Sequence, residues 1–261
     1  MKEEISEIQI ADGWPFRTVP YVQLCGIDAS YGAFDYRQIV VNERLNGLQT
    51  WKDVQQLPAG AVLIQPNQNL EKGRRLEEWL PDLPCNFHYP LGTTVHDTVI
   101  AGALLAAVPQ PRVGISCASY RGAEAWKTWG RTEWVDMLRR MQKEGWHPIL
   151  LGGFWDDLTH AVACELQLPD LVGKTSIGEG VEVLRLLDAY VGYSSGLNVI
   201  RTVLDKPAMA LWPDHQVELA TSWVPPEMLT SGRYRWSLWR PVDEVWPVVR
   251  EFLKICDQEK R

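Results

Sequence analysis

Tyr190-Val191-Gly192-Tyr193-Ser194-Ser195-Gly196-Leu197-Asn198 is the stretch whose reading decides the fold. Its apolar start reads as the end of a buried strand, Ser194-Ser195-Gly196 as a tight loop, and the residues beyond as the start of a helix. Hydroxyls and a glycine where a helix begins form an anion-binding layout. The first backbone N–H groups of a helix lack partners and carry partial positive charge, and small residues let an anion approach them closely.

Working outward, the phrase strand, small-residue loop, helix recurs four times from Val113 to Trp212. Val113 to Ser116 is a strand. The helix from Arg131 to Glu144 places Trp134, Met137, Leu138 and Met141 at i, i+3, i+4, i+7, with Gly145 as its C-cap. Strand Pro148 to Leu151 precedes Gly152-Gly153 and a helix opened by Asp156-Asp157. Ser176-Ile177-Gly178-Glu179 is a capping-box sequence leading into a helix through Leu187. Strand Ala189 to Gly192, a helix through Leu204 and strand Ala208 to Leu211 complete an alternation that implies a parallel sheet with right-handed crossovers.

Upstream, four strands are expected at Tyr21 to Cys25, Arg37 to Val41, Ala61 to Gln65 and Asn86 to Tyr89. An apolar helix from Val95 to Val108 follows, broken by Pro109-Gln110-Pro111. The expected domains are therefore 1–108 and 109–240, with 241–261 a C-terminal helix near the domain seam. Val242, Val245, Trp246, Val249, Phe252, Leu253 and Cys256 form that helix's apolar stripe, and Pro247 is expected to kink or restart it.

The chain has 261 residues, 46% of them hydrophobic, enough for two small domains. Its net charge of -7 gives no general electrostatic reason to expect a nucleic-acid backbone or anionic membrane as partner. Cys25, Cys85, Cys117, Cys164 and Cys256 are odd in number and never in a C-x-x-C pair, so neither a disulfide framework nor a zinc site is signalled. The longest apolar run, Val99 to Val108, is too short to span a bilayer, and a soluble cytoplasmic protein is expected. Most of the 13 tryptophans are expected in packing, a few as sugar-stacking surfaces.

Ligands of parallel sheets bind beyond the strands' carboxyl ends. The loops there carry Ala118-Ser119-Tyr120-Arg121 with Trp126-Lys127-Thr128-Trp129, then Gly152-Gly153-Phe154-Trp155-Asp156-Asp157, then Gly173-Lys174-Thr175-Ser176, and Ser194-Ser195-Gly196. A lysine, hydroxyls, a glycine at a helix start and a carboxylate are what a nucleoside diphosphate requires. Lys127 would neutralise phosphate, Ser194, Ser195 and the Gly196 amide would hydrogen-bond it, and Asp157 or Asp156 would accept from ribose hydroxyls. Taken singly, Lys127 reads as a solvated loop lysine, Asp156-Asp157 as a helix N-cap and Gly152-Gly153 as a turn.

Val113 to Pro213 resembles the donor-binding domain of the heptosyltransferases, glycosyltransferase family nine. The resemblance runs through Ala118-Ser119-Tyr120, Lys127-x-Trp129, Leu150-Leu151-Gly152-Gly153, Gly173-Lys174-Thr175-Ser176, Ser195-Gly196 and Lys206-Pro207-x-x-Ala210-Leu211. It implies an α/β fold of two Rossmann-like domains in the GT-B arrangement, with parallel sheets facing across a cleft. By that resemblance Ser119, Tyr120 and Lys127 face the diphosphate, Asp157 the ribose, Thr175 the base, and Ser194, Ser195 and Gly196 the phosphates and sugar, with Asn198 a further donor-binding residue. The family typically has an aspartate where this chain has Ser194 and a histidine where it has Val199. The first domain is shorter than the family's and lacks the glycine-aspartate phrase that supplies the catalytic base. Asp28, expected after the first strand, matches that position best, with Glu71 and Glu43 as alternatives.

The expected function is an inverting glycosyltransferase that moves a sugar from a nucleoside-diphosphate sugar to an acceptor hydroxyl, without a metal or other cofactor. The resemblance implies an acceptor glycan of lipopolysaccharide type. Two other readings stay open: a virus-type transferase that glycosylates a hydroxymethylated base in DNA, and a catalytically silent nucleotide-binding or scaffold protein. His88, His96 and the run Arg233 to Arg240 are second-rank candidates, the run expected to cap the sheet and the seam. The sequence leaves oligomeric state open.

Overall fold

The computed structural model describes residues 7–9, 28–30, 91–117, 129–214, 217, 220–221 and 224–258. The chain divides into two compact units, Met1–Cys85 with Pro90–Gly92, and Asn86–Tyr89 with Thr93–Arg261. In the first, β1 (Glu7–Gln9) pairs in parallel with β2 (Asp28–Ser30), Glu7 opposite Asp28. Asp28 thus opens a strand, where the sequence suggested a loop after one. The four strands expected at 21–25, 37–41, 61–65 and 86–89 lie outside the described residues, as do Glu43, Glu71 and His88.

The second unit opens with α1 (Val95–Leu105), closed at its start by a reciprocal capping box between Thr94 and Asp97. Bonds donated by the Thr94 hydroxyl and N–H hold the Asp97 carboxyl below its ordinary range. The break at Pro109-Gln110-Pro111 suggested that this helix closes the first domain. Instead α1 packs on α4 (Ile177–Leu186) and belongs to the second unit. The Ser176 and Glu179 capping box of α4 forms as its sequence predicts, with bonds of 3.2 and 2.7 Å.

Next come β3 (Arg112–Ser116), α2 (Arg131–Lys143), β4 (His147–Leu150), α3 (Asp157–Leu166), α4, β5 (Ala189–Tyr193), α5 (Gly196–Val203) and β6 (Ala208–Trp212). Then α6 (Pro226–Thr230), β7 (Tyr234–Leu238) and α7 (Val242–Gln258) follow. Trp134, Met137, Leu138 and Met141 of α2 are all buried, and Gly145 takes a left-handed φ of 85° at its end. The run Arg233 to Arg240, expected as a cap, supplies strand β7 instead. Its order Tyr-Arg-Trp-Ser-Leu alternates apolar and polar groups, and only Tyr234 is buried while Trp236 is exposed, as the outermost strand of the sheet allows.

The sheet is wholly parallel in the order β4-β3-β5-β6-β7. Beyond β4, a single parallel bridge joins Leu150 to Asp170. If that bridge counts as a rudimentary strand, the order in chain sequence reads 3-2-1-4-5-6, the doubly wound dinucleotide-binding arrangement. Its switch point lies between β3 and β5. One helix layer contains α2, α3 and α7, the other α1, α4 and α5, as the helix contacts and alternation of strand side chains require.

The core under α2 and α7 includes Val113, Ile115, Val191, Met209 and Leu211 from alternate strand positions, with Val245, Val249, Phe252 and Leu253 from α7. Trp129, Trp134 and Trp239 meet edge to face there, centroids 5.2 to 6.0 Å apart. These three indoles are packing residues. Helix α7 runs unbroken through Pro247, so the expected restart does not occur. Its buried stripe Val242, Val245, Val249, Phe252, Leu253, Cys256 pins both halves to the sheet.

On the opposite face the fully buried Arg201 binds α4, α5 and β6 together. Its guanidinium donates to the carbonyls of Leu184, Leu187 (3.2 Å) and Pro207 (2.8 Å). Burial pushes its pKa down to about 9, which leaves it charged at neutral pH beside carbonyls at the negative end of α4. Replacement Arg201→Leu should lower stability by about 3–5 kcal/mol, because several buried carbonyls lose their donor. The urea midpoint of the variant measures this loss, and an unchanged midpoint would show those carbonyls to be satisfied otherwise.

Candidate functional site

Parallel pairing places the carboxyl ends of β3, β4 and β5 on one edge of the sheet. The switch point there is built by Ser116 at the end of β3, Cα partner of Gly192, and by Tyr193-Ser194-Ser195 leading into α5. The helices that follow turn away to opposite faces of the sheet at this point, the arrangement in which doubly wound folds generally form their ligand crevice. Gly192 makes the approach close. A Cβ at that position would lie 2.7 Å from the Tyr190 hydroxyl and 2.9 Å from the Ser116 carbonyl oxygen.

Helix α5 starts with Ser195 in an extended conformation whose side chain makes no capping bond. The hydroxyl of Ser195 instead meets that of buried Tyr190 at 3.4 Å, and Tyr190 also hydrogen-bonds Ser116. Burial pushes the Tyr190 phenol well above its ordinary range, so it stays protonated. A Cβ at Gly196, the first helical residue, would meet nothing within 4 Å. Asn198, two residues on, is buried. The start of α5 therefore offers backbone donors and small polar groups beside open space, which is what an anion requires.

The loop after β4 provides the second part of the edge. Of the paired carboxylates, Asp156 is buried and accepts a 2.7 Å bond from the Gly153 N–H, which closes the Gly152-Gly153 turn rather than capping the helix behind it. Asp157 opens α3 and is exposed. The strands that lead into α3 and α5, β4 and β5, lie two positions apart on the same edge, about 10 Å by the spacing of paired strands. The Cys117 N–H donates to the Thr159 hydroxyl at 3.2 Å, which ties the end of β3 to α3. Desolvation pushes the Cys117 thiol far up, so it is inert.

Thr175 lies in the loop before α4. That loop is held by Gly173, whose φ of 67° and N–H bond of 2.9 Å to the Gly152 carbonyl bring it against the backbone of Phe154. Lys174, next to it, is engaged with the Asp170 carboxylate at 3.1 Å. Burial pushes the Asp170 carboxyl up, yet bonds from Val172 N–H, Lys174 and His160 outweigh it and hold the group below its ordinary range. His96 is exposed on α1.

Ser194, Ser195, Gly196 and Asn198 thus gather at the switch point, with Asp157 farther along the same edge. Ser119, Tyr120 and Lys127 lie outside the described residues. Trp129, two positions after Lys127, donates its indole N–H to the Arg240 carbonyl at 2.7 Å and anchors the end of that segment in the core. The hydroxyls of Tyr190 and Ser116 went unnamed in the sequence. The alternation within β5 places Tyr190 on the face of Gly192, the one signal that marks it. Among the described residues no group of three or more His, Cys, Asp or Glu side chains could hold a metal ion, and no helix is long and apolar enough to cross a membrane.

Comparison with known proteins agrees with this geometry. The structure of Escherichia coli ADP-heptose LPS heptosyltransferase II is similar with a TM-score of 0.54 and 16% identity, over 69% of this chain and 57% of that enzyme. The chain therefore spans less than two thirds of that enzyme's length. A glycosyltransferase family 9 protein from Veillonella parvula DSM 2008 is similar with a TM-score of 0.51 and 11% identity, over 95% of this chain and 96% of the other. At such identities the likeness is one of fold. No curated protein matches the chain. The model of glycosyltransferase family 9 (heptosyltransferase) matches residues 92–235, more than half of the sequence and the whole crevice described above. The chain belongs to glycosyltransferase family 9, the heptosyltransferase family.

Proposed function

We propose that the protein is an inverting glycosyltransferase that takes a sugar from a nucleoside-diphosphate donor and passes it to a hydroxyl of a lipopolysaccharide-type glycan. The observation that carries this reading is the open amino end of α5, next to Ser194 and Ser195, at the switch point of a parallel sheet. The diphosphate sits against the Gly196 amide, Ser194, Ser195 and Asn198, with Ser119, Tyr120 and Lys127 approaching from the loop after β3. Asp157 accepts from the ribose and Thr175 meets the base. Family membership supports the same donor class.

The chemistry is a single displacement. A carboxylate of the amino-terminal part of the chain takes the proton of the acceptor hydroxyl, whose oxygen attacks the anomeric carbon opposite the diphosphate. The C–O bond to the diphosphate breaks, and its growing negative charge is stabilised by the dipole of α5 and, in this scheme, by Lys127. Such preorganised donors are each worth about 2.7–4 kcal/mol in the transition state of comparable sites. Asp28 is the carboxylate assigned as base, ahead of Glu71 and Glu43. The scheme needs no metal or other cofactor.

Calorimetry with a panel of nucleoside diphosphates and their sugar conjugates tests the donor site. At least one should bind with release of heat, and binding by none would overturn the proposal. Lys127→Ala should weaken the best ligand about tenfold or more, the worth of a hydrogen bond to a charged group; equal affinity would make Lys127 a solvated lysine. Asp28→Asn should lower kcat about 10²–10⁴-fold while donor affinity is kept, as loss of a general base does. A variant of full activity moves the base to Glu71 or Glu43.

A further inference from the structure

Asn198 is a side chain for which packing alone gives no reason. It is 1% exposed, and neither its Oδ1 nor its Nδ2 has a hydrogen-bond partner among the described residues. A buried amide with both ends unsatisfied costs stability that leucine or methionine at the same place would not, so groups of this kind call for an explanation outside the core. Nearby polar groups are fully engaged by comparison. Arg201, on the same helix, donates to carbonyls through every nitrogen of its head, and Thr202 donates to the Val199 carbonyl at 2.8 Å.

Position gives the explanation. Asn198 is the third residue of the eight-residue helix α5. A helical Cβ is tilted toward the helix amino end, so this side chain leans back over the first turn, where Ser195 leaves the backbone uncapped and Gly196 borders open space. The backbone groups of that turn can only donate. An amide donates and accepts at once, and its acceptor would be wasted on a bare phosphate. A ligand that satisfies both ends carries an anionic oxygen with a hydroxyl beside it.

We infer that Asn198 is a specificity residue that reads the junction of phosphate and sugar. Its Nδ2 donates to a phosphoryl oxygen at the start of α5, and its Oδ1 accepts from a hydroxyl of the sugar joined to that phosphate. Tyr190 acts as a positioning residue beneath it, because it holds the Ser195 hydroxyl away from the capping position and leaves the first turn to the ligand. This inference rests on the donor site proposed above and adds to it the group that separates a sugar conjugate from the diphosphate alone.

The test measures, by titration calorimetry, the affinity ratio between a nucleoside-diphosphate sugar and the same nucleoside diphosphate, together with the melting temperature of the unliganded protein. In Asn198→Leu the preference for the sugar conjugate should shrink about tenfold, the worth of one such bond, while the unliganded protein melts no lower than the parent. Asn198→Asp, nearly the same shape, keeps the acceptor and sets a negative charge beside the phosphate. Its affinity for the diphosphate itself should fall as pH rises from 5 to 8 more steeply than the parent's. An unchanged ratio in Asn198→Leu overturns the inference, and so does a melting temperature lowered with both ligands weakened equally, which is the mark of a packing residue. If Asn198→Leu does not fold, the pH profile of Asn198→Asp decides, and a profile parallel to the parent's overturns the inference. Should the parent bind no nucleoside diphosphate, the donor site and this inference fall together, whereas parent binding with an unchanged ratio removes the inference alone.

Discussion

The close pairing of β3 with β5 is the constraint on which the remaining structure depends. Gly114 and Gly192 are both in this pair: the space a Cβ would need is filled at Gly114 by Leu187 and Leu151 methyls and at Gly192 by the Tyr190 hydroxyl and the Ser116 carbonyl. A Cβ at Gly114 would lie 2.5 Å from a Leu187 methyl and 3.3 Å from the Tyr190 ring, and one at Gly192 would meet the Tyr190 hydroxyl. With the ring laid along the sheet, its hydroxyl reaches the carboxyl edge and bonds Ser116 and Ser195. One buried phenol therefore links the ends of the two strands between which the crevice opens.

From that edge the energetics divide by face. Under α2 and α7 the core is apolar and aromatic, and its stabilisation comes from area removed from water together with the edge-to-face indoles. On the α4 and α5 side a charge is buried. Arg201 is held by carbonyl dipoles, and it fixes the carboxyl end of α4 and the entry to β6 against α5. The helix that carries the proposed anion site is thus locked in place from its far end, and its near end has no side-chain cap. Rigid support behind exposed donors is the condition for electrostatic preorganisation.

Much of the second unit was legible in the sequence because its signals are local. Apolar triplets, the α2 periodicity, the Ser176 and Glu179 box and Gly145 each act within a few residues, and the strands expected between Val113 and Trp212 formed within a residue of their expected bounds, whereas α1 ends three residues early. Strand β7 was missed since an edge strand shows half its side chains to water and reads as a polar cap. Helix α7 passed through Pro247 because tertiary packing of its stripe outweighs one lost backbone bond. The assignment of α1 was likewise a matter of contact with α4, which no local signal reports.

The sequence by itself determined the α/β class, the parallel sheet and the helix start at Gly196, since these follow from periodicity, small residues and capping chemistry. Tertiary structure alone decided the strand order and hence where the switch point falls, which of Asp156 and Asp157 turns inward, and that Tyr190 and Asn198 are buried beside the helix start. Those outcomes depend on contacts between residues far apart in the chain, such as Gly114 with Leu187 and Arg201 with Leu184, and a linear pattern carries no measure of such distances.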